Sequence, residues 1–175
     1  SGDEVWSLFR DRSGILWVGT SHSGINKLPA NAGQFSLYRN NPGNPASLGA
    51  NTVGAFAEDK RGNIWVATWG GGLDRFDPDT GTFAHYHHDP ENPNSLSDDL
   101  FMDVYVDPYN TVWAGTLGKG LNRLNSNTDR VTHYLHEPEN PASLADDNIA
   151  TFLPDKKGNL WVGTFGGLSR FDPNA

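Results

Sequence analysis

The 175-residue sequence contains no cysteine, few basic residues and no apolar run approaching the roughly 20 residues that a membrane-spanning helix requires. Without cysteine, disulfides and thiolate metal sites are excluded. Thirteen Lys and Arg against 21 Asp and Glu give a net charge of −8, and no basic run interrupts the acidic balance. We therefore expect no binding to the nucleic-acid backbone. Helical periodicity is scarce, and nothing at the start resembles a signal peptide.

Glycine and proline are abundant instead. Twenty Gly and eleven Pro with 36% hydrophobic residues indicate many short strands joined by tight turns. The sequence begins within a pattern, "DEVWSLFRDRSG", and ends soon after "GGLSRFDP". We therefore expect it to be a segment of a longer protein.

An internal repeat organises the whole sequence. Four strings resembling "LWVGT" recur every 48 residues, as do tyrosines and the loops "NPASL" and "NPNSL". A period held by several landmarks is a strong indication of a repeat architecture. The tryptophans that mark it are Trp17, Trp65, Trp113 and Trp161.

Each repeat divides into four short β-like segments, which in the second repeat are 53–58, 63–68, 72–76 and 82–86. Four strands in about 40–50 residues are typical of a β-propeller blade. The sequence therefore predicts an all-β fold of about four blades in a single propeller segment, 1–175, with an outermost strand missing from the last blade. The predicted blades are 5–38, 53–86, 101–134 and 149–171.

The turn between the first two strands of each blade has its own signature. Gly14, Gly62 and Gly158 occupy a position where the third repeat has Asn110. Asn is the residue other than Gly that most readily accepts a positive φ. The exchange predicts a left-handed turn residue.

Four blades are compatible with an arc of a larger ring, with half of a two-chain eight-bladed ring, or with a four-bladed ring. We favour an arc, alone or completed by a partner chain. An arc exposes apolar blade faces at both ends, so we expect self-association.

The pattern "I-x-x-x-x-x-D-x-x-G-N-L-W-V-G-T-x-G-G-L-x-R-F-D" at 149–172, with variations at 5–28, 53–77 and 101–125, resembles the two-component regulator propeller repeat. The resemblance implies a periplasmic or other extracytoplasmic sensor region, commonly of a hybrid histidine kinase and sometimes of a diguanylate cyclase. It also implies that any link to the membrane runs through a parent protein. Several family members are implicated in sensing carbohydrate breakdown products, which implies a small solute or oligosaccharide as ligand.

The glycine-rich loops are interpreted as turns. A phosphate-binding loop leads into a helix and carries a Lys followed by Ser or Thr, whereas these loops lead back into a strand. The four copies are "TSHSGIN" at 20–26, "TWGGGLD" at 68–74, "TLGKGLN" at 116–122 and "TFGGLS" at 164–169.

Only the second residue of this loop varies freely. Variable tips on a constant scaffold are where binding specificity tends to reside, so the candidate ligand contacts are Trp69, Leu117 and Phe165. The periodic tryptophans are predicted to pack between blades. Trp69 differs because it lies off the 48-residue grid, on a loop tip.

Acidic pairs precede the innermost strands of two blades. They are candidates for hydrogen bonds to a sugar or for Ca²⁺, with loop capping as the alternative. Adjacent residues on a strand point to opposite faces, so neither pair is expected to act as a paired general acid and base. The pairs are Asp98 with Asp99 and Asp146 with Asp147.

A histidine cluster also raises the question of a metal. His85 and His87 lie on one face of a predicted strand, with Asp89 nearby. Because His85 matches His133 of the next repeat, we favour polar protection of an outer strand. We predict no metal and no cofactor.

Three functions remain open at this stage. The first is a ligand-sensing propeller, the second a non-catalytic interaction or dimerisation scaffold, and the third a propeller lyase or hydrolase. No spacing suggests a Ser-His-Asp triad, so we expect this segment not to be an enzyme.

Overall fold

The structure, a computed structural model, describes residues 4–31 and 33–172, and all its regular elements are β-strands. No helix in these residues has the length and apolar character needed to cross a membrane. The strands are β1 (Val5–Arg10), β2 (Leu16–Thr20), β3 (Ile25–Leu28), β4 (Ser36–Tyr38), β5 (Val53–Glu58), β6 (Ile64–Thr68), β7 (Leu73–Asp77), β8 (Thr82–Tyr86), β9 (Phe101–Val106), β10 (Thr111–Thr116), β11 (Leu121–Asn125), β12 (Arg130–Tyr134), β13 (Ile149–Pro154), β14 (Leu160–Thr164) and β15 (Gly167–Phe171).

These strands form four antiparallel sheets in chain order. β1–β4, β5–β8 and β9–β12 are four-stranded, whereas β13–β15 is three-stranded. Each sheet is a blade, and the strands of the second blade begin and end within one residue of the predicted bounds. The all-β propeller fold is confirmed.

The hydrophobic core lies between blades. Every residue of β6 is buried, because a neighbouring blade covers each face of its sheet. Trp17, Trp65 and Trp113 are no more than 1% exposed, which confirms their predicted place in the core. Trp161 is only half-buried because no further blade covers the last sheet in the described residues.

An aspartate side chain holds the turn after the first strand of each blade by accepting backbone hydrogen bonds. The Asp11 carboxylate accepts the N–H groups of Ser13 at 3.0 Å and Ile15 at 2.9 Å. The residue that closes each turn has a positive φ, as predicted. The values are 84° at Gly14, 85° at Gly62, 68° at Asn110 and 90° at Gly158.

Adjacent blades interlock through a small residue on the second strand. A Cβ added to Gly19 would lie 2.7 Å from Val53 Cγ1, and one added to Gly115 would lie 2.3 Å from Ile149 Cγ2. The glycines therefore leave a hole that the first residue of the next blade fills.

The blades form an open arc. The innermost strands contact one another in the order β1, β5, β9 and β13, and β1 forms no comparable contact with β13. At the two ends, Leu8 on β1 and Leu153 on β13 are both 66% exposed. A four-bladed closed ring is thus not the arrangement adopted, and the predicted arc is.

Candidate functional site

One face of the arc brings the glycine-rich loops against the start of the next innermost strand. The N–H groups of Gly70 and Gly72 donate to the carbonyl of Asp99 at 2.9 and 3.1 Å. In the next blade, Gly118 and Gly120 bond to Asp147 at 3.2 and 2.9 Å. The loops and the acidic pairs therefore share one face of the arc.

The constant glycine of the loop is a steric requirement. Gly72 has a φ of 69°, and a Cβ there would lie 2.1 Å from the carbonyl oxygen of Tyr86. Both the backbone conformation and the close approach exclude a side chain. The turn interpretation of the loop agrees with this geometry.

The variable second position has a constant backbone and a changing side chain. The N–H groups of Trp69, Leu117 and Phe165 each donate to a carbonyl 17 residues earlier, at 3.0, 3.2 and 3.0 Å. The acceptors are Thr52, Leu100 and Asn148. Trp69 and Leu117 are half-buried, and Phe165 is 66% exposed. The scaffold thus presents a different group from each blade at an equivalent place.

A second tryptophan meets Trp69 on this face. The rings of Trp6 and Trp69 are edge to face, with centroids 4.9 Å apart and planes at 72°. Trp6 is 42% exposed. It occupies an irregularity in the β1–β2 pairing between Val5 and Ser7, a bulge of the kind that redirects a side chain.

Sequence reasoning missed Trp6, although a signal was available. Trp6 and Trp69 are the two tryptophans that lie off the 48-residue grid. The same irregularity recurs at the start of every blade, where the corresponding residues are Gly54, Met102 and Ala150. The first blade therefore has a large aromatic side chain, Trp6, at a position where the other blades have a small or flexible one.

The acidic pairs take part in the loop structure. Asp99 Oδ1 accepts the His88 N–H at 2.8 Å, and Asp98 Oδ1 accepts the Asp99 N–H at 2.6 Å. The bond from the backbone N–H of Asn148 lowers the pKa of Asp146. Asp147 accepts the His136 N–H at 2.7 Å. These bonds give the carboxylates the role of loop caps.

The histidine cluster is also engaged. The His85 and His87 rings stack with centroids 5.8 Å apart. His85 Nδ1 lies 2.6 Å from Asp74 Oδ1, and His85 Nε2 lies 2.9 Å from the Pro45 carbonyl. His133 Nε2 lies 2.8 Å from the Ser95 carbonyl, two residues further along the repeat than Pro45. In the residues that the structure describes, no group of three or more acidic or histidine side chains is placed to hold a metal ion.

Fold and repeat together define this protein as a β-propeller segment built from 48-residue blades. The family model described as "Two component regulator propeller" matches residues 1–22, 47–70 and 143–166. Three stretches of the chain therefore match the repeat of that family, which confirms the resemblance of the sequence pattern. Among curated proteins, none matches.

The solved structures that resemble this chain include extracellular domains of bacterial proteins. The extracellular domain of BT3049 from B. thetaiotaomicron, assigned to hybrid two component systems, is 25% identical with a TM-score of 0.83 over 98% of this chain and 22% of that one. The extracellular domain of BT4673 from the same organism, assigned to one component systems, is 25% identical with a TM-score of 0.75 over 95% and 21%. This chain thus spans about a fifth of either relative.

Some propeller enzymes resemble this chain in fold only. Virginiamycin B lyase from Staphylococcus aureus is 19% identical, with a TM-score of 0.67 over 99% of this chain and 58% of the lyase.

Proposed function

We propose that this chain is the sensing segment of a periplasmic receptor of the two-component type, and that it binds a small solute on the face that carries the glycine-rich loops. The repeats and the likeness to extracellular domains support the receptor class. The observation that carries the binding proposal is the partly exposed pair of Trp6 and Trp69.

The chemistry of this face suits an oligosaccharide. A sugar ring has apolar C–H faces that pack on an indole and hydroxyl groups that need hydrogen-bond partners. The carboxylates of Asp98 and Asp146 lie on the same face, half-buried at the start of the next blades. A ligand that packs against the Trp pair would direct its hydroxyl groups toward these carboxylates.

A thermal-shift panel of oligosaccharides tests the proposal. A ligand that binds only the folded state raises the apparent melting temperature. We expect at least one sugar to raise the melting temperature of the unsubstituted chain, and not that of the Trp69→Ala or Trp6→Ala variant.

Tyr109→Ala provides the matched control. Tyr109 is an aromatic residue with 74% exposure, and it lies in the turn between β9 and β10, at the opposite end of the strands. Equal responses of all four proteins would refute the Trp site. Turnover of a panel sugar, followed by chromatography, would instead establish an enzyme.

A second candidate function is a self-associating scaffold, which the open ends of the arc favour. Val5 and Leu8 are 55% and 66% exposed at one end, and Leu168 is 64% exposed at the other. The far end also has an apolar hollow of about 340 Å³, whose lining includes Gly163 and Leu153. One end thus exposes apolar side chains, and the other carries an apolar hollow.

A further inference from the structure

A row of paired residues crosses from blade to blade on the face that carries the glycine-rich loops. In the β9–β10 pairing, Thr116 lies opposite Phe101, and one step further the Leu117 N–H donates to the Leu100 carbonyl at 3.2 Å. Leu100 also forms an isolated antiparallel bridge with Trp69 of the preceding blade. Leu100 therefore lies between Trp69 and Leu117 in one continuous row.

The row continues on both sides through the same backbone contacts. Trp69 donates to the Thr52 carbonyl, Leu117 forms a bridge with Asn148, and the Asn148 carbonyl accepts from Phe165. Residues that lie opposite each other in antiparallel pairs have their side chains on the same face. The row thus presents one line of side chains, in the order Thr52, Trp69, Leu100, Leu117, Asn148 and Phe165.

The middle of this row is apolar and partly open to solvent. Leu100 is 37% exposed, and Trp69 and Leu117 are half-buried. These three residues belong to the second and third blades, each of which has a neighbouring blade on both sides. Their exposure therefore does not come from the open ends of the arc.

The fold does not require leucine at these positions. On the 48-residue grid, Thr52 and Asn148 are counterparts of Leu100, and Ser21 is a counterpart of Leu117. The carbonyls of Thr52 and Asn148 accept the same loop N–H that the Leu100 carbonyl accepts. The leucines therefore add apolar surface to a backbone that polar residues also form.

We propose that the solute bound at the Trp6–Trp69 pair is a glycoside with an aliphatic substituent, and that this substituent lies along Leu100 and Leu117. The inference rests on the proposed function, because the row continues from Trp69. An indole offers a flat face to a sugar ring. A leucine side chain has no such face, and it binds an aliphatic group by removing apolar surface from water.

The row also gives the substituent a direction and a length. Thr52, on the other side of Trp69, is polar, so the aliphatic group extends toward the third blade. Opposite residues of antiparallel pairs lie roughly 5 Å apart, so the two leucines extend the site by about 10 Å beyond Trp69.

The test adds methyl, butyl and hexyl β-glucosides to the ¹⁵N-labelled full chain and measures dissociation constants from the amide shifts. We expect shifts at Trp6, Trp69, Leu100 and Leu117. The hexyl compound should bind at least tenfold more tightly than the methyl compound, because each methylene group that leaves water contributes to the affinity.

Two variants copy the polar residues of other blades. Leu100→Thr copies Thr52 and Leu117→Ser copies Ser21, so each should reduce the hexyl-to-methyl affinity ratio to about threefold or less, while the remaining amide spectrum reports retained folding. Leu37→Thr is the control, at a leucine with 48% exposure on β4. It should keep the full ratio.

Equal affinity of the three glucosides would overturn the inference without refuting the Trp site. Shifts from the hexyl compound at the apolar hollow near Leu153, in place of the row, would also overturn it. Absence of binding by all three compounds would overturn it as well, and the oligosaccharide panel with Trp69→Ala then decides the proposed function separately.

Discussion

The tryptophan that marks each blade is held by the aspartate of the preceding turn, except in the second blade. The Trp17, Trp113 and Trp161 indole N–H groups donate to this aspartate at 2.8, 3.0 and 3.2 Å. In the second blade, Asp59 Oδ2 accepts from Asn63 at 2.8 Å. Among the residues described, Trp65 Nε1 is buried without a hydrogen-bond partner. In the second blade, the Asn63 amide thus bonds to the carboxylate oxygen that receives the indole in the other blades.

Replacing Asn63 should restore this bond. The third blade has Thr111 at the equivalent position, so we expect Asn63→Thr to free Asp59 for Trp65 and to raise the free energy of unfolding. The gain should be about 1 kcal/mol, because a buried unsatisfied donor costs about 1–3 kcal/mol. Urea denaturation followed by tryptophan fluorescence measures it.

Asn159→Thr is the control for this change. Asp155 already accepts from both Asn159 and Trp161, so losing the amide yields no new indole bond and should not stabilise the protein. If both variants lose stability equally, the competition between Asn63 and Trp65 is refuted.

At the level of the strand, a histidine on β8 pairs with an aspartate on β7. The same histidine position on β12 pairs with an asparagine on β11. His85 on β8 faces the buried carboxylate of Asp74, and His133 on β12 faces Asn122 at the same register. The hydrogen bond to Asp74 raises the pKa of His85, although burial opposes it. The second blade therefore has a pH-dependent attachment.

The sign of the pH effect follows from this shift. A histidine with a raised pKa in the folded state stabilises fully below its unfolded pKa of about 6.5, and the contribution is lost as the pH rises through the folded value. We expect the free energy of unfolding to fall as the pH rises above about 6.5. Urea titrations across this range measure it.

The next blade provides a reciprocal control. Asp74→Asn copies Asn122 and should flatten the pH dependence, whereas Asn122→Asp should introduce a second pH-dependent pair at His133. An unchanged slope in both variants would show that the Asp74–His85 pair does not control stability in this range.

Local structure was predictable because every blade repeats the same requirements. The turn position occupied by Gly62 and Asn110 was identified from one exchange, and the strand bounds followed from the 48-residue grid. Trp6 was not identified as a partner of Trp69, because their contact joins different blades and depends on a bulge. The competition between Asn63 and Trp65 is a matter of side-chain geometry that the repeat pattern does not encode.

For the whole molecule, the two open ends of the arc carry the counterparts of the residues that join blades inside it. Val53 and Ile149 fill the holes at Gly19 and Gly115 inside the arc. Val5 is the same position in the first blade and is 55% exposed, and Gly163 is the same hole in the last blade. A second copy placed head to tail would insert Val5 into the hollow at Gly163.

Mixing variants tests this association. We expect light scattering to show the parent chain as a dimer or larger species. Val5→Glu blocks one end and Leu168→Glu blocks the other, so each variant alone should be a monomer. An equimolar mixture keeps one intact pair of ends and should form a heterodimer.

Tyr109→Glu adds the same charge at an exposed residue away from both ends and should leave association unchanged. A monomeric parent chain would refute head-to-tail association, and so would persistent dimers of both single variants.

The interlock between blades has a consequence for how the chain folds. Several hydrogen bonds between adjacent blades join residues 46 to 50 positions apart, such as Arg12 with Glu58, Lys60 with Asn110, and Phe152 with Asp103. The loop that must close for each of these contacts is therefore of nearly the same length, however many blades the protein has. Cooperativity passes only between nearest neighbours, as in a one-dimensional chain of coupled units. Insertion or removal of a whole 48-residue unit changes the length of this chain without changing the kind of contact that holds it together.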